Sequence, residues 1–172
     1  MKKTLKIAIL CIVALALLFF AINIFQRLNE QRAFEASIRT FQEFCGFDLK
    51  TMDNLCTESL SGKPIMIMFA HPECPFCHEK IKQLKARKSE FENTIILKVT
   101  HAEKEDALEF YEKYNLSLFH NLHFLLDHYL DISKPYGFPP VPSVFLYDAN
   151  RELLFWHKGA VRMETILNHL PR

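Results

Sequence analysis

The sequence predicts an α/β domain, a central mixed sheet flanked by helices, behind an N-terminal transmembrane helix. Three observations predict it. Residues 7–25 are almost unbroken apolar sequence. Beyond them, β-branched runs alternate with segments of helical periodicity, the pattern of strands joined by crossover helices. The last two strands, 143–147 and 152–157, are separated by only a short turn, so an antiparallel pair joins the parallel strands and the sheet is mixed.

The 172 residues suffice for one membrane segment and one domain with its own core. Twenty-one basic and twenty acidic residues leave a net charge of +1, which gives no electrostatic footprint for nucleic acid. Five cysteines are too few for a disulfide scaffold. The scattered histidines lack helix-facing metal spacing with an acidic third ligand, and there is no glycine-rich phosphate loop.

The apolar run spans about 28 Å as a helix, close to the hydrocarbon thickness. No small-x-small cleavage site lies just beyond it, so residues 1–25 read as an uncleaved signal anchor. Cys11 follows Leu10 rather than a small residue and reads as a plain membrane-helix cysteine. Lys2, Lys3 and Lys6 should stay in the cytoplasm, carrying the rest of the chain across the inner membrane, in a bacterium into the periplasm, where disulfides persist. Residues 26–45 read as a charged stalk helix, with Leu28, Phe34, Ile38 and Phe41 at near-helical spacing.

The domain proper, 46–172, is expected to open with a hairpin over Phe47–Thr57 turning at Asp53-Asn54. Cys45 and Cys56 flank that hairpin; whether they are joined is open, because spacing does not give their separation. Gly62-Lys63-Pro64 turns into Ile65–Ala70, a continuous apolar run typical of a strand covered on both faces. His71-Pro72-Glu73 then leads into Cys74-Pro75-Phe76-Cys77 and a helix to about Lys88. Lys80, Lys82, Lys85 and Lys88 are expected on its solvated face.

Thr94–Val99 is a second β-branched strand, and its spacing implies a right-handed crossover and parallel pairing. Glu103–Asn115 is helical, with Ala107, Phe110, Tyr111 and Tyr114 in one stripe. Leu122–Leu126 is a further short strand, followed by a broken helix to Pro135. Gly137-Phe-Pro-Pro-Val-Pro142 precedes the strand Ser143–Tyr147 as a turn device. Asp148-Ala-Asn150 turns the chain into Glu152–His157, and a last helix buries Met163, Ile166, Leu167 and Leu170.

The Cys74–Cys77 segment carries the chemistry. Pro75 suits the first helical position. Cys74 then falls at the N-cap, beside unpaired N–H groups and the positive end of the helix dipole, where a thiolate is favoured. Cys77, Ile81 and Leu84 share one face, which should pack on the sheet and shield Cys77. An open attacking sulfur backed by a buried second sulfur suits reversible disulfide exchange. Cys74-x-x-Cys77-His78 also fits the attachment motif of a covalent c-type haem carrier, and a C-x-x-C is half of some zinc sites. A buried strand leading straight into the motif, and the lack of a second C-x-x-C, favour exchange.

GKPIMIMF ahead of CPFC, together with YGFPPVPSVFLYDANRELLFWHKG, resembles the thioredoxin-like superfamily over about residues 46–170. More narrowly it is similar to the membrane-anchored, TlpA-like branch. The resemblance implies that Cys74 attacks and Cys77 resolves, that Val141-Pro142 is a cis bond beside the redox pair, and that Val141, Pro142, Pro75 and Phe76 meet the substrate. It also implies protein thiols or disulfides as substrates, a separate electron donor or acceptor, a lean towards reduction, and no cofactor beyond the Cys74–Cys77 disulfide. A non-catalytic binding module on the same fold is the further alternative. The chain departs from thioredoxin at Met68, where thioredoxin has a buried Asp six positions ahead of its first cysteine. It departs again at Glu73, in place of a tryptophan, and at Pro75-Phe76, in place of Gly-Pro.

Overall fold

The computed structural model describes the backbone of residues 2–171 and the side chains of 12–171; the expectations for Lys2, Lys3, Lys6 and Cys11 fall outside the described side chains. The chain divides into two compact units, residues 1–37 and 38–172.

The first unit is one helix, α1 (Lys2–Ser37). Its stretch Ile12–Ser37 has a mean hydropathy of 1.8 in its most apolar window and is long and apolar enough to cross a membrane. The Leu, Ile and Phe side chains from Ile12 to Phe25 stand exposed, as a lipid-facing surface would.

The second unit holds β1 (Cys45–Asp48), β2 (Asp53–Cys56), β3 (Ile65–Phe69), α2 (Pro75–Ala86), β4 (Ile95–Thr100), α3 (Lys104–Lys113), β5 (Leu122–Leu126), β6 (Ser143–Tyr147), β7 (Leu153–Lys158) and α4 (Met163–Leu167). The seven strands form one sheet in the order β2-β1-β5-β4-β3-β6-β7. β3, β4 and β5 are parallel neighbours, and β6, β7, β1 and β2 join antiparallel, so the sheet is mixed. β3 lies centrally, every residue of it buried, which is why its sequence shows no alternation. One core layer collects Met66 and Met68 of β3, Ile96 of β4, Phe124 of β5 and Val144 of β6 against Ile81 and Leu84 of α2 and Phe110 of α3.

Four local expectations are corrected. The hairpin turns over Leu49–Met52, and Asp53-Asn54 lies inside β2. The buried Asp48 carboxylate sets this turn: its Oδ1 accepts from the Lys50 and Phe124 N–H groups, and the Asp48 carbonyl accepts from Met52. The segment assigned to the end of the stalk helix is extended domain structure instead. Ile38 and Phe41 are buried, Tyr147 Oη donates to the Ile38 carbonyl, and Thr40 bridges Glu152. After β5 the chain makes turns rather than a helix, because Asp127 takes up the N–H groups of Ile132 and Ser133 and the Ser133 hydroxyl. Lys80 is buried rather than solvated, its ammonium donating to the Val161 carbonyl ahead of α4. Its apolar stem covers the core edge while the head reaches that carbonyl and, at 3.3 Å, Gln83 Oε1.

Candidate active site

The C-terminal end of β3 delivers the chain through His71-Pro72-Glu73 to the head of α2. Cys74 is the N-cap, with extended φ −85° and ψ 111°, and Pro75 is the first helical residue. Proline sits there without loss, since its missing N–H belongs to the unpaired first turn. The Cys74 N–H donates to the His71 carbonyl, and its own carbonyl accepts from Cys77 and His78. The Cys74 sulfur accepts from the Cys77 N–H at 3.3 Å. A sulfur in that position faces the positive end of the helix dipole.

The two thiols occupy opposite environments. Cys74 is partly exposed, whereas Cys77 is 2% exposed. Burial, and next the hydrogen bond with the Cys74 side chain, push the Cys77 thiol up to about 12, while the His71 backbone and the Lys98 charge pull the other way. An exposed sulfur is accessible to a bulky partner, and a buried neutral one is held in reserve.

Across from α2, the Val141-Pro142 bond is cis. The Val141 carbonyl lies 3.8 Å from the Cys74 sulfur, placed to accept from its S–H. β6 starts at the next residue and pairs with β3, which fixes this loop against the head of α2. The Phe76 ring, between the two cysteines, is 66% exposed, and Phe138, in the loop before Val141, is 58% exposed. Phe138 has φ 47° and follows Gly137 at φ 67°; this left-handed pair turns the aromatic ring outward.

His78 is held elsewhere: its Nδ1 is 2.7 Å from Tyr114 Oη, and its ring lies against Phe110. His71 packs on His101 and accepts from the Glu73 N–H through Nδ1. Among the described residues no group of three or more His, Cys, Asp or Glu is arranged to hold a metal ion. Cys45 and Cys56 are joined, with an S–S distance of 2.03 Å, across directly opposed positions of β1 and β2. That hairpin is three strands away from β3 in the sheet. A hollow of about 480 Å³ lined by Cys45, Phe47, Leu126 and Ile132 lies on that side and does not include the Cys74–Cys77 pair.

Sequence reasoning missed Lys98. It sits in the middle of β4, is 1% exposed, and its Nζ has no hydrogen-bond partner. The signal was present: a single charge inside the run Ile95–Val99, where a central strand has no solvated side for it.

A family model described as a thioredoxin-like domain matches residues 57–172. No curated protein sequence matches the chain. Among solved structures, the chain is 21% identical to a secreted Mycobacterium tuberculosis disulfide oxidoreductase homologous to E. coli DsbE, with a TM-score of 0.64 over 78% of this chain and 96% of that one. It is 16% identical to a putative thiol:disulfide interchange protein DsbE from Chlorobium tepidum, with a TM-score of 0.65 over 76% and 92%. It is 17% identical to a mitochondrial 2-Cys peroxiredoxin from Plasmodium falciparum, with a TM-score of 0.62 over 76% and 89%. At these identities the likeness establishes the fold, which is shared by more than one thiol chemistry.

Proposed function

This chain belongs to the thioredoxin-like family, and from that premise we propose that it is a membrane-tethered thiol–disulfide oxidoreductase acting on protein disulfides or dithiols outside the cytoplasm. The observation that carries the proposal is the asymmetry of the pair: a partly exposed Cys74 at a helix N-cap, accepting an N–H, above a Cys77 that is 2% exposed. In the reducing direction the Cys74 thiolate attacks one sulfur of a substrate disulfide, and the other sulfur leaves as a thiolate. Cys77 then loses its proton and attacks Cys74, releasing the second substrate thiolate and leaving a Cys74–Cys77 disulfide. A separate electron donor reduces that disulfide for the next round. Run backwards, the steps oxidise a dithiol.

Val141 supplies a backbone edge beside the attacking sulfur, suited to an extended substrate strand, and Pro142, Pro75 and the exposed Phe76 complete the surface that meets it. α1 supports a single-pass anchor in the inner membrane with the domain on the periplasmic side. The likeness to a secreted disulfide oxidoreductase supports placement outside the cytoplasm, and the lean towards reduction rests on the TlpA-like resemblance of the sequence. No such observation favours a haem carrier, since His78 is engaged by Tyr114; a Soret band in the purified protein would reinstate it.

The test is Cys77→Ser, which removes the resolving sulfur. It should accumulate mixed disulfides through Cys74 with exported proteins, visible as slow-migrating, dithiothreitol-sensitive species on non-reducing gels. A blank gel, with Cys74 shown to be reduced and accessible, overturns the proposal. A titration of the pair against glutathione or dithiothreitol buffers fixes the direction: a potential near −270 mV supports a reductant and one near −120 mV an oxidant.

A further inference from the structure

Resolution requires Cys77 to lose a proton inside the core, and Met68 supplies no acid or base there. Strand register shows what stands opposite. β3 and β4 pair in parallel with Met68 beside Lys98. Lys98 shares its strand face with Ile96, a member of the core layer that also holds Met68 and the α2 residues Ile81 and Leu84. Cys77 lies one turn before Ile81 on the same buried stripe of α2. Lys98 is therefore directed into the layer that Cys77 enters from above.

Lys98 is cut off from hydrogen-bond acceptors, and its Nζ faces two aromatic rings. Nζ lies 4.0 Å from the centre of the Phe110 ring and 3.8 Å from that of Phe124, with no hydrogen-bond acceptor. The elements packed around it carry Cys74, Cys77 and His78 at the head of α2, Tyr111 on α3 and Tyr114 at its C-cap, and His123 on β5. His78 is bonded to Tyr114, and His123 to Asp48. Only the two cysteines, Cys77 first and Cys74 second, act on the Lys98 charge to a significant degree, and no carboxylate does. Burial lowers Lys98 from its ordinary 10.5 to about 7.

Resting on the redox reading of the Cys74–Cys77 pair, we propose that Lys98 is the proton acceptor for Cys77 during resolution. The Cys77 S–H bond breaks and its proton passes to the uncharged Lys98 amine. The Cys77 thiolate forms a bond to Cys74 Sγ, the Cys74–substrate S–S bond breaks, and the substrate sulfur leaves with the electron pair. The Lys98 ammonium, facing the thiolate across a low-dielectric layer, stabilises the charge as it forms. When the pair is oxidised no thiolate remains, and the ammonium releases its proton to solvent. A buried base, in place of a buried acid, then sets the pH at which the second step runs.

The experiment uses the full chain, reduced, in non-ionic detergent, mixed with 5,5′-dithiobis(2-nitrobenzoate) in a stopped-flow spectrometer. Cys74 attack releases the first thionitrobenzoate at a rate that scales with reagent. Cys77 attack releases the second at a rate that does not. Because Cys74 is already bonded in the second phase, its own titration is absent from that phase. In the wild type the second-phase rate is expected to rise through an inflection near pH 7. Lys98→Met, an unbranched apolar replacement beside Met68, is expected to slow that phase on the order of a hundredfold at pH 8 and to abolish the inflection. The first phase reports in the same trace that Cys74 is competent, and Trp156 fluorescence reports that the variant is folded. Lys98→Arg keeps a positive charge but accepts no proton, and is expected to lose the inflection as well.

An unchanged second phase in Lys98→Met, or an inflection restored by Lys98→Arg, overturns the proposal. So does a wild-type second phase with no inflection near 7, a result that needs no variant. If the wild type gives no second phase and behaves as Cys77→Ser does, the redox reading itself has failed and the Lys98 assignment falls with it.

Discussion

Replacing Lys98 by Met should make the protein more stable at neutral and acid pH, an unusual direction for a core substitution. Lys98 is 1% exposed and has no acceptor for its ammonium. In the unfolded chain it takes its ordinary value of 10.5; in the folded chain burial lowers that to about 7. Between pH 7 and 10.5 the unfolded chain therefore binds a proton that the folded chain lacks, so stability rises with pH across this window. The cost of the buried charge is complete below pH 7. At 1.36 kcal/mol per pH unit, a fall from 10.5 to about 7 amounts to about 4–5 kcal/mol, and to about 4 kcal/mol at pH 7 itself, where the folded amine is half neutral. Lys98→Met should thus exceed the wild type by about 4 kcal/mol at pH 6, with the gap closing towards pH 10. Cys77, pushed up to about 12, works the opposite way above pH 9 and destabilises both proteins as pH rises. Urea denaturation of the reduced full chain in detergent, followed by fluorescence of the single tryptophan Trp156, measures the difference at each pH. Parallel stability profiles for the two proteins, or a variant weaker than wild type at pH 6, would refute the argument.

Three further outcomes follow from the same structure. The Cys45–Cys56 bond closes a loop across a sequence separation of 11, so Cys45→Ser with Cys56→Ser should cost about 3 kcal/mol of stability in urea titrations under oxidising conditions while leaving the reaction of Cys74 with thiol reagents unchanged. Asp48→Leu strips an acceptor from the Lys50 and Phe124 N–H groups and from His123, and should cost about 3 kcal/mol and loosen amide exchange at the β1–β5 pairing. Phe76→Ala removes an aromatic ring that is 66% exposed; stability should stay within about 0.5 kcal/mol, while mixed-disulfide capture of proteins by the Cys77→Ser form falls and reaction with small disulfides does not.

The geometry of the Cys74–Cys77 pair was legible because its logic is local. Pro75 fixes the helix start, which fixes Cys74 as the cap, and helical periodicity places Cys77 on the stripe of Ile81 and Leu84. β3 was legible because a strand covered on both faces needs apolar residues at every position. The β1–β2 turn was misplaced because Asp-Asn is a strong turn signal in isolation. The deciding interaction joins Asp48 to Phe124, and no local rule contains a contact of that range. Lys80 and Lys98 escaped for a related reason. A lysine reads as solvated until the element packed over it is known, and for Lys80 that is the approach to α4, far along the chain.

The sequence by itself determined an apolar helix of spanning length, the alternation of strands and helices, and two cysteines held apart in character by one helical turn. These depend on hydropathy, periodicity and proline stereochemistry, which act between near neighbours. Tertiary structure alone decided that Cys45 meets Cys56, that the Val141 carbonyl faces the Cys74 sulfur, and that Lys98 lies beside Met68 in the layer receiving Cys77. Each of these depends on sheet order and register, and register is set by the packing of the whole sheet rather than by any one segment.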